Sequence, residues 1–477
     1  MNDTADFNFS EIKKAHFIGI GGIGMSGIAR LLLKTGVKVS GSDLKESEIT
    51  RTLRAEGARV FIGHRASNIL VPHFVAGRKK EGLGSYPDVV VISSAVKAGN
   101  PELAAAVKKD IRTVPRALML AKLASSKKTV TVSGSHGKTS TTSMLASALE
   151  GAGVDATVVV GGLFKNIGSN IKMGAGEYLV AEADESDGSF LYFNPLVTCV
   201  TNIDSDHLDF YKDMTNLKAA FLAHIDKVPF YGAAVVCADD PGVASILGSV
   251  ETPLITYGCK AGSDWVAKNL KSGPAGLAYE AHFRGKRMGR VALRSGGRHN
   301  ALNSLAALAA GRYLGFDFAG LVKGLANFKG VKRRMENIGE YAGVTFLDDY
   351  GHHPTEIKAT LGTVPEMYKG RGRLIVLFQP HRYSRTGILR REFPAAFDAA
   401  DLTYVMDIYA AGEKPLPGVT SELILAGLKK RGLKAERFPG AMEIAKNLRA
   451  GDVLITVGAG DVWKFGEEIK LKLETIC

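Results

Sequence analysis

Residues Lys128 to Thr142, KTVTVSGSHGKTSTT, run from an apolar strand through a glycine loop into a helix start, an order that few folds other than a phosphate-binding unit can satisfy. The first backbone N–H groups of a helix have no partner inside it, and the aligned peptide dipoles favour negative charge there. Lys138 is placed to neutralise a terminal phosphate, and the Thr139 hydroxyl to ligate the Mg²⁺ that travels with a nucleoside triphosphate. The usual phosphate-loop pattern has a further glycine five residues before Gly137, where this chain has Val132. Only the inner half, Gly134-x-x-Gly137-Lys138-Thr139, is present, so the loop reads as a shortened one. Gly134, Ser135, His136, Gly137, Lys138, Thr139 and Ser140 become the ATP-binding candidates. A plain strand-to-helix turn is the alternative.

A chain of 477 residues is too long for one core, and roughly two to four domains are expected. The formal charge of +13 raises the question of nucleic acid, but Lys and Arg are scattered among acids rather than gathered in a stripe. Anionic small molecules account for the charge, and no nucleic-acid partner is expected. Cys199, Cys237, Cys259 and Cys477 show no metal or disulfide spacing and read as reduced thiols, which suits the cytoplasm. The polar N-terminus lacks a signal-peptide core, and no run of about 18 or more apolar residues follows, so neither secretion nor a membrane span is expected.

Strand-like runs HFIGI, KVSGSD, ARVFIG and DVVVISSAV alternate with helical stretches such as Glu48 to Glu56 and Pro101 to Lys109, the pattern of a parallel doubly wound sheet. A looser polar stretch, Lys122 to Lys128, suggests the first boundary. A second α/β unit follows, with strands ATVVVGG, YLVAEAD, LVTCVTN and GAAVVCA; within it residues 255 to 294 read as an antiparallel insert, AYEAHF and GRVALRS being joined by Arg284-Gly285-Lys286. VTFLDDY, RLIVLFQP, LTYVMDI and DVLITVGAG form a third alternating segment. The expectation is α/β throughout, in domains 1–121, 122–328 and 329–477.

Ligands of open parallel sheets bind beyond the carboxyl ends of the strands, and this chain places polar residues there repeatedly. Glu182, Asp184, Glu185 and Asp187 follow YLVA; Asn202, Asp204, Asp206, His207 and Asp209 follow VTCVT; Asp348, Asp349, His352 and His353 follow or end VTFL; Gln379, His381, Arg382 and Arg385 follow LIVLF. If the second domain is one sheet, Thr139, Glu182 and His207 converge on one crevice suited to Mg²⁺, although nitrogen is an atypical ligand for that ion. A helix-capping carboxylate is the alternative for Glu182. In the first domain Gly19-x-Gly21-x-x-Gly24 follows a strand, and Asp43 ends the next strand 19 residues after Gly24, as in a dinucleotide fingerprint. Such a loop binds any diphosphate; Gly22 and Gly27 make this one richer in glycine than the dinucleotide pattern. Two phosphate-binding domains point to two phosphorylated ligands, against an NAD-dependent oxidoreductase and against a non-catalytic ATP-binding regulator.

The set IGIGGIGMSGIA, GSHGKTS, EADESD, TNIDSDHLDFY, GRHNALNSLAA, RRME, DDYGHHPTE and FQPHRYSRT, spread over residues 16 to 386, resembles the Mur ligases of peptidoglycan synthesis. The resemblance implies N- and C-terminal Rossmann-like parallel sheets flanking a central P-loop-type ATPase domain, the first domain binding UDP. It implies an ATP-dependent amide ligase that joins L-alanine to the lactyl carboxylate of UDP-N-acetylmuramate through an acyl phosphate, with ATP and Mg²⁺ required and homodimerisation left open. A ligase recycling a tripeptide onto the same UDP-sugar is the rival within the family; FQPHRYSRT and GIGGIGMSG favour the single amino acid. Carried over residue by residue, Lys138, Glu182, His207, Arg334 and Asp349 are the catalytic set, with Thr139, Glu182 and His207 holding metal. Asn300, Asn303 and Tyr350 join the ATP site. Gly19, Gly21, Gly22, Gly24, Asp43, His64 and Ser94 would surround the UDP group, and His381, Arg382 and Arg385 the acceptor. Helix-start polarity is the alternative for Asn300 and Asn303, a solvated face for Arg333 and Arg334, and a surface pair for His352 and His353. Some Mur ligases carry a carbamylated lysine where this chain has Phe221, so no modified lysine is expected.

Overall fold

The computed structural model describes residues 9–75, 78–93 and 95–476. Its strands sort into three large sheets and one hairpin. The first sheet is parallel, built from β1 (Lys14–Ile18), β2 (Lys38–Asp43), β3 (Arg59–Ile62), β6 (Val89–Ile92) and β7 (Arg112–Pro115) in the order β3-β2-β1-β6-β7. The hairpin of β4 (Val71–Val75) and β5 (Arg78–Ser85) stands apart from it. Chain direction across the sheet reverses between β1 and β6, and the crevice beyond their carboxyl ends is the natural ligand position.

The central sheet holds ten strands. They are β8 (Lys128–Ser133), β9 (Thr157–Phe164), β10 (Ser169–Lys172), β11 (Tyr178–Glu182), β12 (Val197–Val200), β13 (Ala233–Cys237), β14 (Leu254–Gly258), β15 (Trp265–Gly273), β16 (Gly276–Phe283) and β17 (Lys286–Leu293). Their order is β10-β9-β11-β8-β12-β13-β14-β15-β16-β17, parallel from β9 to β15 and antiparallel at both edges. The antiparallel insert therefore continues the same sheet instead of forming one of its own. β8 lies between β11 and β12, so the phosphate loop, the EADESD acids and the NIDSDH segment leave three adjacent strands side by side. The third sheet orders β18 (Glu336–Tyr341), β19 (Val344–Asp349), β23 (Val453–Val457), β20 (Leu374–Phe378), β21 (Leu402–Val405) and β22 (Ala435–Arg437), parallel except for β18. Strands covered by helices on both faces read as unbroken apolar runs; β13, AAVVC, and β23, VLITV, are buried at every position.

The polar stretch Lys122 to Lys128 is only partly a connector, because the helix Arg116–Ala124 runs through Lys122 and buries Leu120, Ala121, Leu123 and Ala124. β7 and β22 were not expected: RTVP and AER are too short and polar to register as apolar runs. Cys199 and Cys237 are buried in β12 and β13, with burial pushing both thiols up to about 12, while Cys259 is half-buried just after β14. Cys477 lies outside the described residues.

The helix Lys138–Gly151 leads out of the phosphate loop and is packed against Arg298–Tyr313 and Phe318–Ala326. Glycine makes the second contact possible: a Cβ on Gly324 would stand 2.0 Å from the Ser147 carbonyl oxygen and 2.7 Å from Ala148 Cα. Gly324→Ala is expected to push the two helices apart and cost ~1–3 kcal/mol, the usual range for overpacking, read as a lower urea midpoint. Gly362→Ala, in the helix Pro354–Met367 with nothing within 4 Å of the added carbon, should instead be neutral or stabilising by up to ~1 kcal/mol.

Candidate active site

All three sheets turn their carboxyl edges toward one cleft of about 740 Å³. Gly19, Gly22 and Gly24 line it from the first sheet, Lys138, Thr139, Glu182 and His207 from the second, and Arg334, Tyr350, His381, Arg382 and Arg385 from the third. A narrower pocket of about 150 Å³ adjoins it, lined by His136, Gly137, Ser140, Asn300, Asn303 and Asp349 among others.

The phosphate loop is shaped by close packing. Gly134 and Gly137 have φ of 131° and 81°, conformations that side chains resist. A Cβ on Gly134 would lie 2.1 Å from Thr201 Oγ1, and one on Gly137 2.9 Å from Asn303 Oδ1. The Asn202 side chain, just beyond β12, clamps the loop, accepting from His136 N at 2.8 Å and donating to His136 O at 2.9 Å. Gly137 is the N-cap and offers no side chain to the helix start, so the N–H groups of the first turn are left for an anion.

Lys138 Nζ donates to Gly134 O at 2.7 Å and to Glu185 at 2.8 Å. Burial opposes its charge, but the carboxylates of Glu185, Asp184 and Glu182 outweigh burial and hold the ammonium above its ordinary range. Burial pushes the fully buried Glu185 upward, and Lys138 opposes that shift. Glu185 was one acid among four in EADESD, and nothing in the sequence singled it out.

Thr139 Oγ1 donates to Glu182 Oε1 at 3.1 Å, and Gly161 N to Glu182 Oε2 at 2.7 Å. Glu182 thus caps no helix; it bridges the phosphate-loop helix and the neighbouring strand β9. Its hard oxygen pair with Thr139 is a donor set that fits Mg²⁺. His207 occupies the left-handed region, φ 57°, with Nε2 at 3.7 Å from Glu185 Oε1 and 3.6 Å from Asp206 Oδ2. It faces the same cleft from across these acids.

The third sheet reaches over the second. Arg385 Nη2 donates to both oxygens of Asp206, at 2.9 and 3.2 Å, with both residues buried. Burial raises the Asp206 carboxyl, but Arg385 and His207 dominate and hold it well below the usual carboxylate range. His381 Nδ1 lies 3.3 Å from Arg385 Nη1, and burial pushes His381 down to about 4. Arg382, with φ 68°, begins the short helix Tyr383–Ile388. A second bridge joins the phosphate loop itself: His136 Nε2 lies 3.0 Å from Asp204 Oδ2, which also accepts from Thr355 Oγ1 at 2.6 Å, and the His136 and His353 rings stand 4.7 Å apart. His353 is buried and caps the helix Pro354–Met367, so the His352–His353 doublet is no surface pair.

Arg333 and Arg334 are not a solvated face either. Arg333 donates to Asp348 and to the carbonyls of Gly458 and Gly460; Arg334 donates to Glu356 at 3.2 Å; both guanidinium groups stand about 5 Å from the Tyr350 ring. Asp349 accepts from Met335 N at 2.6 Å and Gly351 N at 2.7 Å, and burial raises it to about 6 despite Arg334. Asn300 and Asn303, on one face of the helix Arg298–Tyr313, are buried in the narrow pocket, whereas Tyr350 lines the broad cleft instead.

In the first domain Gly19 has φ 83°, and Asp43 Oδ2 accepts from Gly21 N at 2.8 Å, closing the glycine loop. His64 Nδ1 lies 2.8 Å from Ser42 Oγ. Ser94 lies outside the described residues. Arg116 was missed, since a basic residue after a proline carries no motif; it lines the cleft beside Gly24. Phe221 is fully buried, with its ring 5.2 Å from that of Phe190.

Comparison with known proteins agrees with this arrangement. Residues 14–128 match the description "Mur ligase family, catalytic domain", 132–311 "Mur ligase middle domain" and 333–460 "Mur ligase, glutamate ligase domain". The chain is 46% identical over 461 residues to UDP-N-acetylmuramate--L-alanine ligase of Endomicrobium trichonymphae, covering 97% of this chain and 99% of that one. It is 45% identical over 471 residues to the enzyme of the same name from Geobacter sp. (strain M21), covering 98% and 99%. The crystal structure of UDP-N-acetylmuramate-alanine ligase from Thermotoga maritima superposes with a TM-score of 0.77 at 28% identity, covering 97% of this chain and all of that one. This chain belongs to the Mur ligase family.

Proposed function

We propose that this protein joins L-alanine to the lactyl carboxylate of UDP-N-acetylmuramate with cleavage of ATP to ADP and phosphate, in the cytoplasmic synthesis of peptidoglycan precursors. The observation that carries this reading is the single cleft into which a diphosphate-type glycine loop, a triphosphate loop and a cationic third sheet all open. The names of relatives at 45 and 46% identity supply the substrates. An oxidoreductase would leave Lys138, Glu182 and His207 without work. No helix among the described residues is long and apolar enough to cross a membrane.

In the first step the lactyl carboxylate oxygen attacks the γ-phosphorus of ATP, the bond to the β–γ bridging oxygen breaks, and ADP leaves. The acyl phosphate then takes the amine of L-alanine at its carbonyl carbon, loses the amine proton, and the tetrahedral intermediate expels phosphate to leave the amide. Attack of one anion on another is opposed by repulsion, so positioning and charge neutralisation must do most of the catalysis. Lys138 and the first-turn N–H groups hold the β- and γ-phosphates. Thr139 and Glu182 would hold one Mg²⁺ and His207 would help to hold a second, and such ions would neutralise phosphate charge. Asn300 and Asn303 hold the nucleoside end of ATP in the narrow pocket, and Arg334 and Asp349 close it from the third sheet. Gly19, Gly21, Gly22 and Gly24, with Asp43, His64 and Ser94, hold the UDP group. His381, Arg382 and Arg385 face the acceptor.

The direct test is ADP release by the purified protein with UDP-N-acetylmuramate, ATP and Mg²⁺, comparing L-alanine, other amino acids, a tripeptide and no acceptor. L-Alanine should give the fastest release; a tripeptide preference would turn the reading into the recycling ligase. Lys138→Ala should lower ligation by a factor of about 10² to 10⁵ while leaving UDP-sugar binding nearly intact, because the two loops belong to different sheets. Ligation at the wild-type rate would remove Lys138 from the phosphate site. Glu182→Gln should raise the Mg²⁺ concentration needed for half-maximal rate steeply, with His207→Ala acting in the same direction by less. Unchanged titrations in both variants would show that neither residue holds metal.

A further inference from the structure

The first sheet contains a buried charge to which the reaction assigns no work. Glu102 lies in the first turn of the helix Pro101–Lys108, and its side chain is fully buried. Four donors converge on it. Oε2 accepts from His16 Nε2 at 3.0 Å and Ser42 Oγ at 2.6 Å; Oε1 accepts from Asn68 Nδ2 at 2.6 Å and Arg65 N at 3.1 Å. These donors use the acceptor capacity of an ionised carboxylate in full. An uncompensated charge at this depth would be strongly unfavourable; burial does oppose ionisation, and the hydrogen bonds from His16, Ser42 and Asn68 outweigh it and hold the carboxyl below its ordinary range.

The consequence appears one group further out. Ser42 has a single hydroxyl hydrogen, and it is given to Glu102. Toward His64 Nδ1, 2.8 Å away, the same oxygen is left only to accept, and Glu102 Oε1, 3.6 Å from that nitrogen, likewise only accepts, so Nδ1 carries the imidazole hydrogen. A neutral His64 is thereby left with a bare lone pair at Nε2, which pairs with no protein group among the described residues. The chain of bonds begins at His16, inside β1, and ends at the carboxyl edge of β2 and β3, beside Asp43 and the glycine loop it closes.

We propose that Glu102 is a positioning residue of the uridine-nucleotide site: by holding Ser42 as an acceptor it fixes His64 with Nε2 as the acceptor for a donor on the nucleoside, a ribose hydroxyl or the uracil N3–H. This rests on the reading of the first domain as the UDP-sugar site. The mechanism is distinct from direct contact, because Glu102 itself is sealed from any ligand. An amide at position 102 would bring a donor to a place where every neighbour already donates, releasing the Ser42 hydrogen to His64 Nδ1 and turning Nε2 from an acceptor into a donor.

The test measures UDP binding by calorimetry in the full-length protein, alongside steady-state kinetics. Glu102→Gln should weaken UDP about tenfold or more, the range for facing two donors across a ligand contact, and raise KM for the UDP-sugar in parallel. ATP affinity and kcat should hold. His64→Ala should lose a similar factor, and Glu102→Gln in the His64→Ala background should lose nothing further, an outcome that a merely structural role for Glu102 would not produce. Ser42→Ala carries the same expectation if Glu102→Gln does not fold: weaker UDP binding with His64 present, no change without it. Wild-type UDP affinity in Glu102→Gln, or equal losses with and without His64, would overturn the proposal. A wild-type protein that bound ATP but not UDP would overturn the domain reading and this relay together, a result distinguishable from a relay that fails while UDP still binds.

Discussion

Asp206 and Arg385 form a buried ion pair between two sheets that share no strand, and the site as a whole depends on it. Removing two charges from water is costly, and only close, two-point geometry recovers that cost. Here one guanidinium nitrogen reaches both carboxylate oxygens. The neighbouring bridge from His136 through Asp204 to Thr355 attaches the phosphate loop to the helix that starts after β19. With both bridges made, Arg334, Asp349 and Glu356 come within reach of a nucleotide seated on the loop. Loss of either charge of the ion pair would strand the other in a dry site, so these residues serve the geometry of the cleft more than the stability of either sheet.

The parallel strands and the phosphate loop were legible in the sequence because both are local. A strand buried on two faces must be apolar along its length, and a tight loop opening a helix must place glycine where φ turns positive. Which of the neighbouring carboxylates pairs with Lys138 was not legible. EADESD offers four carboxylates; only the pairing of β11 with β8 and β9 puts Glu182 against Thr139 and Glu185 against Lys138. The same holds for Arg333 and Arg334, whose partners lie on β19, after β23 and on the helix Pro354–Met367, between 15 and 127 residues away. Short polar strands such as β22 are specified by their neighbours, not by their own sequence.

Two glycine loops of similar appearance are set to different tasks by what surrounds them. The first is closed by Asp43 on Gly21 and has Arg116 beside Gly24; the second is clamped by Asn202 and carries its own lysine. Residues for which a surface position is the alternative in the sequence, His353 and Arg334 among them, lie where the second and third sheets meet.

Lys138 has a counter-ion within the protein, the buried Glu185. A phosphate that takes the ammonium over from Glu185 gains the difference between two contacts and not the whole of one. Departure runs the same exchange backwards, with the carboxylate returning as the phosphate leaves. The Lys138–Glu185 pair thus sets the reference against which any phosphate contact of this lysine is weighed.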